Sequence, residues 1–262
     1  MTPREALLLI PGLAGARVVS QLADGVASAS WLVESGGARF VLRVDKPEAE
    51  TLGLDRRAER DIQAVVARAG LTSAPLFHDL ERGVSLRRHA PGRAWSAADL
   101  QHARNLERLG RSLRDLHALP PAGARFEPGA AARRYARQIA SPEAQRLADE
   151  ANQLLAALRF EPWRECLCHN DLVADNIVDD GEQLLLIDWE YAGIGDPWFD
   201  LAVIIQHHEL KPESRGILLN AYLRRAATGV EAVRLREWCS FYRLLLRLWL
   251  LRVGHPEKVP YP

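Results

Sequence analysis

Residues 168–177 read CHNDLVADNI, and residues 185–193, after a short turn, read LLIDWEYAG. The first segment carries a carboxylate at Asp171 and an amide at Asn176, and the second places a carboxylate at Asp188 after an apolar run. Phosphoryl transfer uses these groups: one carboxylate orients the attacking hydroxyl and accepts its proton, while an amide oxygen and a second carboxylate hold Mg²⁺ on the nucleotide phosphates. Mg²⁺ prefers such hard oxygen ligands. The pattern therefore predicts chemistry on ATP with Mg²⁺.

The segments around these residues predict a hairpin. Residues 184–187 form an apolar run that predicts a strand ending at Asp188, and the Asp-Asp-Gly sequence at 179–181 is typical of a turn. Such a hairpin would bring Asn176 and Asp188 close together. The His-x-Asp-x4-Asn pattern alone would arise by chance in a polar loop, but its combination with IDWEYAG and with GDPWFDLA at 195–202 is much more specific.

The segments HNDLVADNIV, LLIDWEYAG and GDPWFDLA resemble the catalytic core of a group that comprises choline/ethanolamine kinases, thiamine kinases and aminoglycoside phosphotransferases. The resemblance is strongest over about residues 165–203 and extends more weakly from residue 20 onward. These enzymes share a protein-kinase-like fold, so the resemblance implies that fold here. It also implies that Asp171 is the catalytic residue and that Asn176 and Asp188 are metal ligands.

The same resemblance implies several supporting roles. His169 would be structural, and Asp200 would brace the catalytic loop from the following helix. His117 matches a family position on a long helix and is expected to be structural as well. Asp196 precedes Pro197, and an Asp-Pro pair is typical of a turn or a helix cap.

A basic residue stands where these kinases contact the α- and β-phosphates, at Arg43 within the apolar run 40–44. It is Arg and not Lys, as in the choline and thiamine kinase branches that the sequence resembles, and its planar fork suits bidentate phosphate contact. Glu59 would pair with Arg43, as the corresponding Lys and Glu do in protein kinases. The alternatives are a solvated Arg43 and an exposed Glu59 beside Arg60.

The nucleotide-covering turn, residues 22–30, has one glycine, Gly25, where a Gly-rich loop would have several. Backbone amides together with Ser28 or Ser30 are expected to cradle phosphate. The sequence contains no GxxxxGK[ST] motif, so a P-loop enzyme is not supported. The resemblance implies that adenine lies at the junction of the lobes, against the backbone of Arg88, His89 and Ala90.

Four residues are candidates for binding the acceptor. Glu190 could neutralise a cation, and aromatic faces could surround it. A helix predicted at 231–252 carries Trp238, Tyr242 and Trp249 on one face, because their spacing at 100° per residue brings them within about 40° of one another. The alternative is core packing, since this helix is apolar over most of its circumference.

The order of predicted elements indicates an α+β, bilobal, protein-kinase-like fold, with a β-rich N-terminal lobe at 1–92 and a mostly helical C-terminal lobe at 93–262. The first lobe would bind the nucleotide, and the second would supply catalysis and acceptor binding. The predicted strands are 17–22, 28–34, 38–45, 75–80 and 83–89, and the predicted helices are 53–69, 96–119, 129–139, 142–158 and 231–252.

The composition limits the classes of partner and the compartment that the protein is expected to have. Lys plus Arg and Asp plus Glu both number 34, and this zero net charge argues against a bulk nucleic-acid binder. The three cysteines do not form a disulfide framework, which favours a cytoplasmic protein, and Cys166 and Cys168 are expected to pack inward. The apolar run near the start is too short for a signal peptide, and no apolar stretch is long enough to insert into a membrane. The oligomeric state is not indicated.

The sequence therefore predicts an ATP- and Mg²⁺-dependent kinase that phosphorylates a hydroxyl of a small cationic alcohol such as choline, ethanolamine or thiamine. Two alternatives remain: an aminoglycoside or amino-sugar phosphotransferase, and a nucleotide-binding pseudokinase. A protein kinase is less favoured, because only seven residues separate Asp188 from Asp196 and leave no long activation segment.

Overall fold

The structure is a computed structural model that describes residues 1–158 and 165–254. It contains 48% helix and 20% strand, with the strands concentrated in the first part of the chain, which confirms the predicted α+β class. Within the described residues, none of the helices combines the length and the apolar character that crossing a bilayer requires.

The chain groups into two compact units. The first comprises Met1–Ala94 and Asn176–Ala192, and the second comprises Trp95–Asp175 and Gly193–Pro262. The division between Ala94 and Trp95 lies two residues after the boundary predicted from sequence. Residues 176–192 group with the first unit, although the linear division assigns them to the second lobe. Residues 159–164 and 255–262 of the predicted second lobe lie outside the described residues.

A five-stranded antiparallel sheet with the order β1-β2-β3-β5-β4 forms most of the first unit, and all five of its strands were predicted. Gly36 and Gly37 connect β2 to β3 with φ values of 56° and 76°, the left-handed conformation that a two-residue hairpin turn requires. The strands are β1 (Arg17–Asp24), β2 (Ser28–Ser35), β3 (Ala38–Asp45), β4 (Pro75–Asp79) and β5 (Val84–Arg88).

The two faces of this sheet have different chemistry. On one face, Leu42 and Leu86 pack with Ala6 and Leu7 in a hydrophobic cluster. Ala6 and Leu7 belong to α1 (Pro3–Leu8), a six-residue helix that the sequence analysis did not predict, because so short a helix shows no apolar periodicity. The opposite face of β3 and β5 carries polar side chains, among them Arg43.

Helix α3 (Arg56–Arg68) follows the short α2 (Glu48–Leu52) and corresponds to the predicted helix at 53–69. It begins at Arg56 because the carboxylate of Asp55 caps it. This carboxylate accepts hydrogen bonds from the backbone N–H groups of Arg57 and Ala58, at 3.0 Å each. The buried side chains of α3 include Glu59, which lies among Ile62 and Val66 on its packed face. A carboxylate in that position needs a partner.

A small three-stranded sheet completes the first unit. Strand β8 (Ile177–Asp179) pairs with both β6 (Arg93–Ala94) and β9 (Leu184–Leu186). The turn predicted at 179–181 therefore connects β8 to β9. Gly92 has a φ of 98°, and a Cβ there would lie 2.0 Å from the carbonyl oxygen of Asp179, so only glycine fits where β6 begins.

The second unit is mostly helical. Helix α4 was predicted from residue 96, but it begins at Ala103, because Ser96 donates to the carboxylate of Asp99 and a short 3₁₀ turn intervenes. Gly110 of α4 allows close packing on α8, since a Cβ there would lie 2.7 Å from the Cβ of Ala221. The helices are α4 (Ala103–His117), α5 (Pro128–Ile139), α6 (Pro142–Leu158), α7 (Pro197–His207), α8 (Pro212–Leu223) and α9 (Gly229–Arg252), and the strands are β7 (Cys166–Cys168) and β10 (Gly193–Gly195).

Candidate active site

The predicted catalytic loop leaves strand β7 and is held by one buried carboxylate. Asp200, in α7, is fully buried and accepts hydrogen bonds from the backbone N–H groups of His169, at 2.8 Å, and Asn170, at 2.6 Å. Asn170 has a φ of 65°, in the left-handed region that Asn adopts more readily than most residues other than glycine. The expected brace between Asp200 and this loop, which leads directly to Asp171, is therefore confirmed.

His117 supports that carboxylate from α4. Its Nε2 lies 3.0 Å from Oδ2 of Asp200, and its Nδ1 lies 2.9 Å from the hydroxyl of Tyr222. Burial alone would raise the pKa of Asp200, but the hydrogen bonds from His117 and from the His169 N–H hold that pKa below its ordinary value. Asp200 is thus an ionised acceptor at neutral pH, and the structural role predicted for His117 is confirmed.

Two cysteine thiols lie beside this histidine. Cys166 and Cys168 are both buried, as predicted, and their sulfur atoms are 3.6 Å apart and close to His117. Both ring nitrogens of His117 are already hydrogen-bonded, to Asp200 and Tyr222. Burial also keeps the pKa of the Cys168 thiol well above its ordinary value, so the thiol stays protonated. The three side chains are part of the core, as predicted for the two cysteines.

Asp196 organises the aromatic side chains of α9. It caps α7 by accepting from the Trp198 N–H at 3.0 Å, as predicted, and it also accepts from Arg234 Nε at 3.0 Å and from the Trp238 indole at 2.9 Å. The hydroxyl of Tyr242 bonds to Nδ1 of His207 at 2.8 Å. The polar atoms of Trp238 and Tyr242 therefore have partners inside the second unit.

The aromatic rings of α9 pack on Phe199. The ring of Trp238 lies 5.3 Å from that of Phe199, and the ring of Tyr242 lies 6.1 Å from it, both edge-on. Trp249 is partly buried, whereas Trp238 and Tyr242 are buried. These contacts are those of a helical core, and acceptor binding by the three residues stays a prediction.

The predicted metal ligands stand at the open end of the β8–β9 hairpin. The N–H of Ile187 donates to the carbonyl of Asn176 at 2.9 Å, so the hairpin brings Asn176 beside the residue that precedes Asp188. Asp188 has a φ of 64°, and the buried indole of Trp189 anchors the next position through a 3.0 Å hydrogen bond to Leu186. Strained backbone of this kind clusters at functional sites.

The donor set at this hairpin fits Mg²⁺. The carboxylate of Asp188 is exposed and makes no hydrogen bond or ion pair within residues 1–158 and 165–254. Asn176, at the same end of the hairpin, has an amide oxygen, which is also a hard ligand atom. An open carboxylate and an amide at adjacent strand ends are ligands of the kind that magnesium bound to phosphates takes from a protein.

Arg43 and Glu59 form the predicted pair. Arg43 Nη1 and Nη2 lie 2.5 and 2.9 Å from the two oxygens of Glu59, a bidentate contact. The side chain of Arg43 is 16% exposed and that of Glu59 only 1%, so neither is a solvated surface residue. Burial alone would raise the pKa of Glu59, but the charges of Arg43 and Arg56 hold it below the ordinary value.

Arg56, the first residue of α3, is a member of this site that the sequence analysis missed. Its Nη1 donates to Glu59 at 2.8 Å and to Glu190 at 3.1 Å, and its Nε donates to Asp45 at 3.1 Å. Burial and the charge of Asp188 raise the pKa of Glu190 to about 7. An available signal was the three-residue spacing of Arg56 and Glu59, which brings helical side chains together.

The nucleotide-covering turn is held by a residue outside it. Lys46 Nζ donates to Asp24 Oδ1 at 2.5 Å and to the carbonyl of Gly25 at 2.8 Å, and the Gly25 N–H donates to the carbonyl of Ser28 at 3.0 Å. Further along, the His89 N–H donates to the backbone carbonyl of Arg39 at 3.1 Å. Phosphate binding by Gly25 and Ser28 stays a prediction.

The predicted adenine-binding segment is anchored at Ala90. This residue is buried and packs with Val178 and Leu185 of the hairpin sheet, with Ile187 against the same cluster. Packing of Ala90 on the β8–β9 hairpin fixes the chain just after the end of β5. Adenine binding by His89 and Ala90 stays a prediction.

Comparison with known proteins gives the family. The family model described as "Phosphotransferase enzyme family" matches residues 18–238. Protein LicA of Haemophilus influenzae is 31% identical over 207 residues, which are 76% of this chain and 60% of that relative, so the chain spans less than two thirds of its length. Thiamine kinase of Escherichia coli O139:H28 is 28% identical over 240 residues, 88% of this chain and 81% of that protein.

Solved structures agree on the fold. The choline/ethanolamine kinase family protein from Mesorhizobium loti superposes with a TM-score of 0.79 at 25% identity, covering 98% of this chain and 87% of that one. The protein-kinase-like fold and the resemblance to the choline and thiamine kinase branch are therefore confirmed.

Proposed function

The chain belongs to the phosphotransferase enzyme family, and we propose that it transfers the γ-phosphoryl group of ATP to a hydroxyl of a small cationic alcohol such as choline, ethanolamine or thiamine. The observation that carries the proposal is the combination, in one compact unit, of the bidentate Arg43–Glu59 pair with the hairpin that bears Asn176 and Asp188. Kinases use this combination to hold a nucleotide and its metal.

Asp171 is the catalytic residue in this proposal. It orients the acceptor hydroxyl and takes its proton, while the hydroxyl oxygen forms a bond to the γ-phosphorus and the bond to the β-γ bridging oxygen breaks, which releases ADP. Asp200 and His117 act as positioning residues, because they hold the backbone of the loop that leads to Asp171.

Asn176 and Asp188 would hold Mg²⁺, which neutralises charge on the phosphates when bound. Arg43 would contact the α- and β-phosphates, and Glu59 keeps its guanidinium in position. Positioning and electrostatic stabilisation account for most of phosphoryl-transfer catalysis, so these residues need no covalent role.

A cationic alcohol is supported by the likeness to thiamine kinase and to a choline/ethanolamine kinase family protein. An aminoglycoside, which carries several positive charges, would need a dense acidic surface. Helix α9 has only two acidic residues, Glu231 and Glu237, against five arginines, and Glu231 is already paired with Arg225. This charge balance favours an acceptor with a single positive charge.

The test is release of ADP from Mg-ATP with choline, ethanolamine, thiamine, an aminoglycoside and simple amino sugars as acceptors. Asp171→Ala is the inactivating variant, and Asp175→Ala, an exposed carboxylate of the same segment, is the matched control. Turnover on choline, ethanolamine or thiamine that is lost only in Asp171→Ala supports the proposal and identifies the substrate, whereas turnover on the aminoglycoside or an amino sugar contradicts the proposed acceptor class. ATP binding without turnover on any acceptor contradicts it and favours the pseudokinase.

A further inference from the structure

The polar face of the first sheet carries a second arginine that the proposed function has not used. Strands β3 and β5 pair so that Val41 lies opposite Arg87 and Arg43 lies opposite Ser85. Directly opposed residues of an antiparallel pair point to the same face, as do residues two apart on one strand. Arg87 and Arg43 therefore share one face of the sheet, one diagonal step apart. The next residue, Arg88, points to the other face and is exposed.

The two arginines differ in what surrounds them. Each terminal nitrogen of Arg43 donates to an oxygen of Glu59. Arg87 is partly buried, yet none of the residues in 1–158 and 165–254 gives its guanidinium a hydrogen bond or an ion pair. Burial lowers the pKa of Arg87 to about 10, although the charge of Asp188 opposes the change. All five N–H donors of Arg87 are thus available in a partly desolvated position.

A desolvated guanidinium without a partner destabilises a protein, and a bound anion removes that deficit. Such an anion has to meet two conditions. It must reach the sheet face that Arg87 shares with Arg43, and it must be compatible with the nearby negative charge of Asp188, the expected magnesium ligand. A polyphosphate coordinated to magnesium satisfies both conditions. Adenosine, which is uncharged, does not.

We propose that Arg87 is a phosphate-binding residue, whose guanidinium binds the α- or β-phosphate of the nucleotide together with Arg43. The inference rests on the proposed nucleotide-dependent function and adds a binding residue to it. Both terminal nitrogens of Arg43 already donate to Glu59. Arg87 therefore has more N–H donors available for the phosphate than Arg43 has. Two planar forks on one sheet face hold a diphosphate in a fixed orientation.

The test compares Arg87→Met with the matched control Arg82→Met, by calorimetric titration with Mg-ATP, Mg-ADP and adenosine. Arg82 is an exposed arginine in the turn before β5 and pairs with Asp79. We expect Arg87→Met to weaken binding of ATP and ADP about tenfold or more, since charge-assisted hydrogen bonds are lost. Adenosine binding should change less than about twofold, because adenosine makes no such bond. Arg82→Met should leave all three affinities unchanged.

Thermal unfolding without nucleotide separates binding from structural support. Replacing an unpaired, partly buried charge with an apolar side chain of similar length should leave the melting temperature unchanged or raise it. A merely structural arginine would lower it. Arg87→Lys should recover part of the ATP affinity, since it restores the charge without the planar fork.

Unchanged ATP and ADP affinity in a folded Arg87→Met protein would overturn the role of Arg87 and leave the proposed function intact. So would a lowered melting temperature with equal weakening of ATP, ADP and adenosine, which indicates structural support. Failure of the wild type to bind ATP or ADP would instead refute the nucleotide-dependent function itself, and with it this inference.

Discussion

Arg56 Nη1 lies 3.1 Å from Oε2 of Glu190, across 134 positions of the chain. Both side chains are 13% exposed, so the pair is largely desolvated. The contact connects the start of α3, where Glu59 holds Arg43, to the segment that follows Asp188. Glu59, which pairs with Arg43, and Glu190, two residues after the proposed metal ligand Asp188, therefore share the guanidinium of Arg56.

We predict that Arg56 and Glu190 are energetically coupled. Arg56→Gln should destabilise the protein by about 2 kcal/mol, because it removes the cation paired with the largely buried Glu190, whereas Glu59 keeps its bidentate pair with Arg43. Adding Glu190→Gln to that variant should cost about 1 kcal/mol less than Glu190→Gln costs in the wild type. Urea unfolding of the two single variants and the double variant measures this difference, and strict additivity contradicts the coupling.

The same variants test whether Glu190 binds the acceptor. A carboxylate that neutralises the acceptor cation should raise the acceptor KM when it becomes Gln, even though Arg56 is retained. An unchanged acceptor KM together with lowered stability would assign Glu190 to the Arg56 pair alone.

Arg43→Ala should lower kcat/KM for ATP on the order of a hundredfold, since a preorganised charge beside the phosphates is lost. Glu59→Gln should act in the same direction, because it releases the Arg43 fork. Steady-state kinetics at varied ATP measures both. The control is Arg60→Ala on the exposed side of α3, where Arg60 pairs with Asp61; an equal loss there would point to general damage to the helix.

Asp200→Asn should lower kcat and leave the KM for ATP nearly unchanged. The carboxylate accepts two backbone N–H groups of the catalytic loop and a bond from His117, so an amide there loses acceptor capacity and displaces the loop. Melting temperature should also fall, by about 2–4 °C for each kcal/mol lost. Glu213→Gln, an exposed change on α8, is the control, and wild-type kcat in Asp200→Asn would contradict the positioning role.

The cap of α9 should give a pH-dependent stability. Arg225 lowers the pKa of Glu231 to about 2, helped by the N–H and hydroxyl of Thr228. A lowered folded-state pKa adds stability that is complete above the unfolded value near 4.5 and is lost as pH falls toward 2.

Glu231→Gln should therefore destabilise the protein by about 1–2 kcal/mol at pH 7 and by much less at pH 2.5. Thermal unfolding at the two pH values measures the change. Glu237→Gln, later on the same helix, should change the stability by the same amount at both pH values. An equal effect of Glu231→Gln at both pH values would mean that its charge does not stabilise the cap.

Trp249 is the aromatic residue of α9 with a partly exposed ring, so it is the better candidate for a cation contact. Trp249→Leu should raise the acceptor KM between about twofold and thirtyfold while ATP affinity stays constant, since cation–π contacts contribute about 0.5–2 kcal/mol. Val233→Ala, an exposed change on the same helix, should have no effect. An unchanged acceptor KM in Trp249→Leu would leave core packing as the role of this residue.

Several features followed from the sequence because they depend on neighbouring residues. The β2–β3 turn needed two glycines in succession, and the 179–181 turn needed Asp and Gly. Alternating apolar residues in the first sheet and periodic ones in α3 were equally local signals. The predicted start of α4 was wrong. Ser96 donates to the side chain of Asp99 and is followed by a short 3₁₀ turn, so the helix itself begins only at Ala103.

By itself, the sequence determined the family, the α+β class and the order of the motif residues Asp171, Asn176 and Asp188, all of which depend on short-range spacing. Only the tertiary structure decided which charges are paired. It pairs Glu59 with Arg43 and Glu190 with Arg56, and it leaves Arg87 without an ion pair among the described residues. The physical reason is that ion pairing depends on distance and desolvation between side chains far apart in the chain, and neither is encoded by local propensity.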